Sequence, residues 1–162
     1  MATIRPFRLT DAAGTHAVFV QAVQIGAASR YSAAERAEWL PDATMPADWG
    51  PWLAQHTTLV ADEGDRLTGF FMLEATGYLN MAFVTPDRMG TGLADQLYAA
   101  LMTAAQTQGI TDLTVIASRH AQSFFARHGW TLAPEPMAIP GHPEKDISRA
   151  LQLSRAMRRG LI

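Results

Sequence analysis

The chain has no cysteine. Disulfides, thiolate zinc sites and a cysteine nucleophile are therefore excluded. It also lacks a charge excess. Thirteen Lys and Arg against 15 Asp and Glu give a formal net charge of −2, whereas a general nucleic-acid binder needs a basic surface. Four arginines near the C-terminus (Arg149, Arg155, Arg158 and Arg159) read as a solvated tail. The five histidines, at 16, 56, 120, 128 and 142, are scattered. None forms a His-x-x-x-His or carboxylate–His pair at ligand spacing, so no metal is expected. No apolar run reaches the roughly 18 residues of a membrane span. The N-terminus carries no charged-then-apolar signal segment. The expectation is a cytoplasmic protein with neither a membrane nor a nucleic acid as partner.

What is present suits a folded enzyme-sized unit. At 162 residues, 48% hydrophobic and 17% charged, the chain can bury a real core, and one domain over residues 1–162 is expected. Ile4 to Arg8 reads as a short strand. Thr10 and Asp11 offer capping oxygens for a helix over 11–28. Ser32-Ala33-Ala34-Glu35 fits a capping box that opens a short helix ending near Leu40, before Pro41. Residues 41–52, rich in Pro, Asp, Gly and Trp, read as a loop. Thr57–Ala61 and Thr68–Glu74 form a hairpin around Glu63-Gly64-Asp65. Tyr78–Val84 is a third strand, whose alternation puts Leu79, Met81 and Phe83 on one face.

Further on, Leu93, Leu97, Leu101 and Ala104/Ala105 make one apolar helix stripe, closed by Gly109. Leu113–Ala117 is a continuous apolar run, as in a strand covered on both faces. A short helix over Ala121–His128 ends at Gly129. A strand follows at Trp130–Ala133, then a proline-rich loop over 134–146, and Ile147–Leu153 reads as a strand or a helix, with strand favoured. The order describes a mixed-sheet α/β domain containing one strand–helix–strand unit.

The most informative segment is Val84-Thr85-Pro86-Asp87-Arg88-Met89-Gly90-Thr91-Gly92-Leu93-Ala94. A strand stops at a proline and a helix begins on small residues. Backbone N–H groups left unpaired at a helix start, with the positive end of the dipole, bind phosphate. The turn is neither a Walker loop, which ends Gly-Lys-Ser/Thr, nor the dinucleotide fingerprint, whose glycine spacing differs. On the residues alone it is either a pyrophosphate cradle or a tight strand-to-helix turn.

This order, with that turn in its middle, resembles the GNAT superfamily of acetyl-CoA-dependent N-acetyltransferases over most of the chain. The family turn, Gln/Arg-x-x-Gly-x-Gly/Ala, falls on Met89-Gly90-Thr91-Gly92-Leu93-Ala94, with Met89 in place of Gln or Arg. A second signature, Asn-x-x-Ala…Phe-Tyr-x-x-x-Gly-Phe, is similar to Ser118-Arg119-His120-Ala121 through Phe124-Phe125 to Gly129-Trp130. The resemblance implies a mixed, mainly antiparallel central sheet of about six to seven strands flanked by about four helices. It implies acetyl-CoA as co-substrate and an amine acceptor, on a small molecule or a protein. A homodimer is compatible with it.

The resemblance also assigns residues. The N–H groups over Met89, Gly90, Thr91, Gly92, Leu93 and Ala94 would hold the pyrophosphate. Phe83 and Val84 would pair with the pantetheine arm like an extra strand. Ser118 would lie beside it. Phe124 and Phe125 would wall the cofactor or simply pack the core. The oxyanion donor is expected where the central strands splay near Phe83 and Val84. The usual Tyr acid is replaced by Phe125. The usual Glu base falls on Tyr78, with Asn80 next on that face; both can hold a water but neither is a good base, and Glu74 is either the nearest carboxylate or an exposed strand-end residue. His120 is a further candidate. Tyr31, Glu35 and Trp39, with Trp49 and Trp52 nearby, suit a cationic or aromatic amine, or serve only to anchor a loop. The rival reading, motivated by Phe125 and the missing base, is a non-catalytic acyl-CoA-binding module.

Overall fold

Four apolar segments of the first half fold as a meander. The computed structural model describes residues 1–26, 31–40, 42–118, 121–132, 139, 141–142 and 150–154. In it, β1 (Thr3–Pro6), β2 (Thr57–Asp62), β3 (Leu67–Leu73) and β4 (Tyr78–Val84) pair antiparallel in chain order. Helix α4 (Leu93–Thr107) then carries the chain to β5 (Asp112–Ile116), which lies parallel to β4. After α5 (Gln122–Arg127), β7 (Ala150–Ser154) inserts antiparallel between β5 and the short β6 (Thr131–Leu132). The sheet order is β1-β2-β3-β4-β5-β7-β6, the mixed, mainly antiparallel arrangement the sequence predicts. His120, the arginines Arg149, Arg155, Arg158 and Arg159, and the side chain of Trp39 lie outside what is described.

Each face of the sheet has its own core. On one, the α4 stripe of Leu93, Leu97, Leu101 and Ala105 is at most 5% exposed and packs on Leu59, Phe71, Leu73 and Leu79. Burying each such leucine contributes about 1.5–3 kcal/mol. On the other face, α1 (Ala12–Gln21) and α3 (Trp49–Ala54) cover Val60, Phe70 and Met72. Helix α2 (Ala33–Trp39) opens on the capping box its sequence predicts. Ser32 Oγ accepts the Glu35 N–H at 3.1 Å, and Glu35 Oε1 accepts the Ser32 N–H at 3.0 Å.

Four local expectations are corrected. The loop expected over 41–52 ends early, because α3 starts at Trp49. Pro51 is tolerated in its first turn, where an N–H has no intrahelical acceptor. Trp49 fastens the helix by donating Nε1–H to Thr15 Oγ1 at 3.1 Å. The helix expected over 11–28 is a 3₁₀ turn (Leu9–Asp11), α1, and then a wider π turn at Ala22–Gly26; residues 27–30 are outside the description. Asp11 serves the 3₁₀ turn instead, accepting the Arg8 N–H at 2.7 Å and pairing with Arg5 at 2.8 Å.

The other two corrections concern the central strands. The alternation of β4 breaks at Asn80. Met81 pairs with Met72 and Leu79 with Leu73, so Asn80 is an extra, bulged residue. Leu79 consequently joins the α4 core while Met81 and Phe83 pack on the opposite one; a bulge shifts side-chain alternation by one. Finally, β5 is not covered on both faces. Leu113, Val115 and Ala117 are buried, whereas Thr114 and Ile116 are half-buried.

Gly77 sets the start of β4. Its φ is +92°, and a Cβ there would collide with the carbonyl oxygen of Asp112. Its own carbonyl accepts the Thr114 N–H at 3.0 Å. Gly77→Ala is therefore expected to cost more than about 2 kcal/mol, from the left-handed backbone and the clash together. Urea unfolding of the purified variant checks the value.

Candidate active site

The parallel pairing of β4 and β5 is brief. Only Tyr78 with Thr114 and Leu79 with Val115 are in register. Beyond them the strands diverge, and a cavity of about 450 Å³ opens between them. Asn80, Phe83 and Val84 line it from β4, Val115 and Ile116 from β5, and Ser118, Phe124 and Phe125 from the segment that follows. Val23 and Tyr31 close the side facing the first helices, and Met89, Gly90 and Ala94 close the end under α4.

Within the glycine turn the N–H groups of Met89 and Thr91 donate to the carbonyls of Pro86 and Arg88, each at 3.3 Å, which corrects their expected place among the phosphate donors and leaves that role to the glycines and the helix start. Gly90 and Gly92 take φ of +74° and +88°, backbone that glycine adopts without penalty. Gly92 is the N-cap of α4 and supplies no capping side chain. The first N–H groups of the helix, at Leu93, Ala94 and Asp95, have no intrahelical acceptor. At both glycines the space a Cβ would fill is open. Asp95, in that first turn, pairs with Arg127 at 3.3 Å and with His128 at 2.8 Å, which ties α4 to α5.

Beside the cavity, two side chains meet at one carboxylate. Asn80 Nδ2 donates to Glu74 Oε2 at 2.7 Å. His142 Nε2 lies 2.9 Å from both Glu74 oxygens, and its ring packs on Tyr78 at 5.1 Å. His142 is held by a tight turn in which its N–H donates to the carbonyl of the buried Ile139 at 2.9 Å. Sequence reasoning missed His142. It stands 68 positions from Glu74, and no spacing rule connects the two.

A family model of the acetyltransferase (GNAT) domain matches residues 27–139. The chain belongs to the GNAT acetyltransferase family. It is accordingly an acyltransferase of the N-acetyltransferase type. It is 29% identical over 127 residues to YafP of Escherichia coli (strain K12), an uncharacterized N-acetyltransferase, with 78% of this chain and 79% of YafP covered. A GCN5-related N-acetyltransferase of Rhodopseudomonas palustris superposes with a TM-score of 0.78 at 28% identity, covering 95% of this chain and 96% of that one. The PaiA N-acetyltransferase of Thermoplasma acidophilum, solved in complex with coenzyme A, shares the fold at a TM-score of 0.74 and 14% identity, over 95% and 99% of the two chains.

The cavity of this GNAT domain gathers a defined subset of the expected residues. Phe83, Val84, Met89, Gly90, Ala94, Ser118, Phe124, Phe125, Asn80 and Tyr31 all line it. Thr91, Gly92 and Leu93 belong to the same turn without lining the cavity; Leu93 points into the core. Tyr78 and Glu74 are buried beside it. Glu35 is exposed and committed to its capping box. Trp49 is buried against His16, Phe19 and Phe70, and so anchors α3 to the sheet. Among the described residues no three His, Asp or Glu converge as metal ligands, and no helix is long and apolar enough to cross a membrane.

Arg88, immediately before the turn, is committed elsewhere. Its guanidinium grips Glu63 through two bonds of 2.7 and 2.8 Å. Arg66 pairs with Asp87 at 2.6 Å, so the β2–β3 hairpin is strapped to the Pro86–Arg88 turn. The Arg88 guanidinium holds the Glu63 carboxyl down to about 2, from an ordinary 4.5. The folded state thus stays ionised where the unfolded chain takes up a proton. The stability from this pair is complete above about pH 4.5 and is lost as pH falls toward 2. Glu63→Gln is expected to flatten the fall in melting temperature across that range, with the two profiles converging at the acid end. Parallel profiles in thermal melts would show that the strap is open in solution.

Proposed function

We propose that this domain transfers the acetyl group of acetyl-CoA to a primary amine within the cavity between β4 and β5. The observation that carries the reading is the continuity of that cavity with the glycine turn. One end meets a row of N–H groups at the start of a 15-residue helix, and the other lies between two strand edges that have stopped pairing. A long cofactor with an anionic end and an extended arm matches both ends. The residues fit the group: the turn leaves open space at both glycines, and oriented N–H groups with a helix dipole favour phosphate.

In this reading the N–H groups of Gly90, Gly92, Leu93 and Ala94 take the pyrophosphate, those of Met89 and Thr91 being bonded within the turn. The edge of β4 at Phe83 and Val84 takes the amide-bearing arm in the manner of an added strand. Ser118 and the rings of Phe124 and Phe125 form the opposing wall. Asp95 places a negative charge near the phosphates, and its pairing with Arg127 offsets it.

The amine nitrogen attacks the thioester carbonyl carbon, the C–N bond forms, and the carbonyl oxygen takes negative charge. Backbone N–H groups of the unpaired β4 edge stabilise that oxyanion. The C–S bond then breaks, coenzyme A leaves as thiolate, and the proton of the former amine passes to water. Phe125 supplies no acid. A thiol of pKa near 8.5 is a competent leaving group without one. The largely apolar walls disfavour an ammonium ion and so favour the neutral, nucleophilic amine.

Acetyl-CoA is expected to raise the melting temperature, because a ligand that binds only the folded state stabilises it. Ala94→Glu places a carboxylate where the phosphates bind, at a helical position with no φ strain. The variant should keep its ligand-free melting temperature and lose the acetyl-CoA shift. Free-thiol release is then measured with a panel of primary amines: spermidine, phenethylamine, lysine and an alanine-led peptide. Wild-type turnover with at least one member, abolished in Ala94→Glu, is the expected result. An intact shift in the variant removes the turn from the site.

A further inference from the structure

Asn80 combines three properties. It is the bulged residue of β4, it lines the cavity, and its side-chain nitrogen is bound to Glu74. An ionised carboxylate only accepts hydrogen bonds. The amide must therefore turn its NH₂ toward Glu74, which leaves Oδ1 as its acceptor. Glu74 is fixed in turn by His142, whose Nε2 must carry a proton to bridge both oxygens. The assembly is sheltered: the side chains of Glu74 and His142 are 11% and 24% exposed. Glu74 itself is not on the cavity wall, so what faces the cavity is a neutral amide held by a carboxylate behind it.

We propose that Asn80 Oδ1 accepts an N–H of the acceptor amine and aims its lone pair at the thioester, with Glu74 and His142 as the positioning residues that prevent the amide from flipping. This rests on the acetyl-transfer reading above. A nucleophilic nitrogen has one productive direction, and an N–H held from behind turns the lone pair forward; such orientation carries a large part of catalysis in bond-forming steps. A neutral oxygen suits this task, since it holds the amine without taking its proton, which leaves to water after the C–N bond has formed. A flipped amide would present NH₂ to the amine N–H groups and repel them. The two orientations of an asparagine amide are nearly identical in shape, so the choice between them has to come from a bonded neighbour. Glu74, bridged by His142, makes that choice.

The test combines kinetics with one spectroscopic signature. Asn80→Ala and Glu74→Gln are each expected to lower kcat/KM for the best amine of the panel by about 10- to 100-fold, with KM for acetyl-CoA within about twofold of wild type. Because Glu74 acts through Asn80, the double variant should be no worse than Asn80→Ala alone. Multiplicative losses, or an unaffected Asn80→Ala, overturn the proposal.

Asn80 is also the only asparagine of the 162 residues, so [¹⁵N]asparagine labelling yields a single side-chain NH₂ signal. In the wild type one of its protons should be shifted downfield and slow to exchange, and this signature should be lost in His142→Ala or Glu74→Gln. Free-amide shifts in the wild type overturn the anchoring whatever the kinetics show, and require no variant to fold. The two readings fail separately. A wild type that acetylates no amine of the panel overturns the acetyl-transfer reading. A wild type that turns over but shows free-amide shifts overturns only the role of Asn80.

Discussion

Two cross-strand pairs, Tyr78 with Thr114 and Leu79 with Val115, are all that joins the parallel strands at the centre of the sheet. Nearly everything functional follows from how short that junction is. Parallel pairing holds the strand starts together, and the chain then has to diverge around α4 before β5 can return. Past Leu79 the two edges face a cavity rather than each other. Gly77 sets where the junction begins, since its left-handed backbone lets its carbonyl accept the Thr114 N–H. The bulge at Asn80 falls one residue after Leu79. It turns a polar side chain toward the opening and switches the remaining side chains of β4 to the opposite faces.

The surrounding structure keeps this opening in place from both sides. The α4 stripe packs on one face of β3 and β4 and fixes the helix start next to the end of β4. On the other face Phe83 packs on Phe70 at 5.9 Å and on Phe19 at 5.2 Å, so the strand edge beside the cavity is held by α1. The hairpin strap from Glu63 and Arg66 onto the Pro86–Arg88 turn adds an electrostatic tether where the chain leaves β4. Exposed ion pairs contribute modestly one by one, but this group acts on a turn none of whose residues is buried. Arg88, immediately before the glycine turn, serves as a tether.

Among the described residues no carboxylate lines the cavity. Its polar groups, among them Asn80, Ser118 and Tyr31, are neutral and set in apolar walls. The carboxylate of Glu74, buried beside the cavity, is engaged by Asn80 and His142. In the proposed reading such a site orients and desolvates more than it exchanges protons. That suits a reaction whose nucleophile needs only to be neutral and whose leaving group needs little help.

Much of this was legible in the chain. The apolar period of Leu93, Leu97 and Leu101, the capping box at Ser32 and Glu35, the turn chemistry at Gly90 and Gly92, and the hairpin turn at Glu63-Gly64-Asp65 are local signals, and local sterics and hydrogen bonding decide them. They fixed the element order, the family and the turn that opens the cavity. Trp49 looked like part of an acceptor site because aromatic residues crowd near residue 50; only packing shows its ring turned into the core. The β4 bulge was invisible because an extra residue is defined by the partner strand, not by its own sequence. The Glu74–Asn80–His142 cluster depends on the sheet and on the turn at Ile139 bringing together residues far apart in the chain, and no periodicity records that meeting. The sequence by itself determined where helices and strands form and where backbone N–H groups are left unpaired, because those are matters of neighbouring residues. Which side chains share a cavity, and which carboxylate is already occupied, was decided by tertiary structure alone, because both depend on contacts across elements.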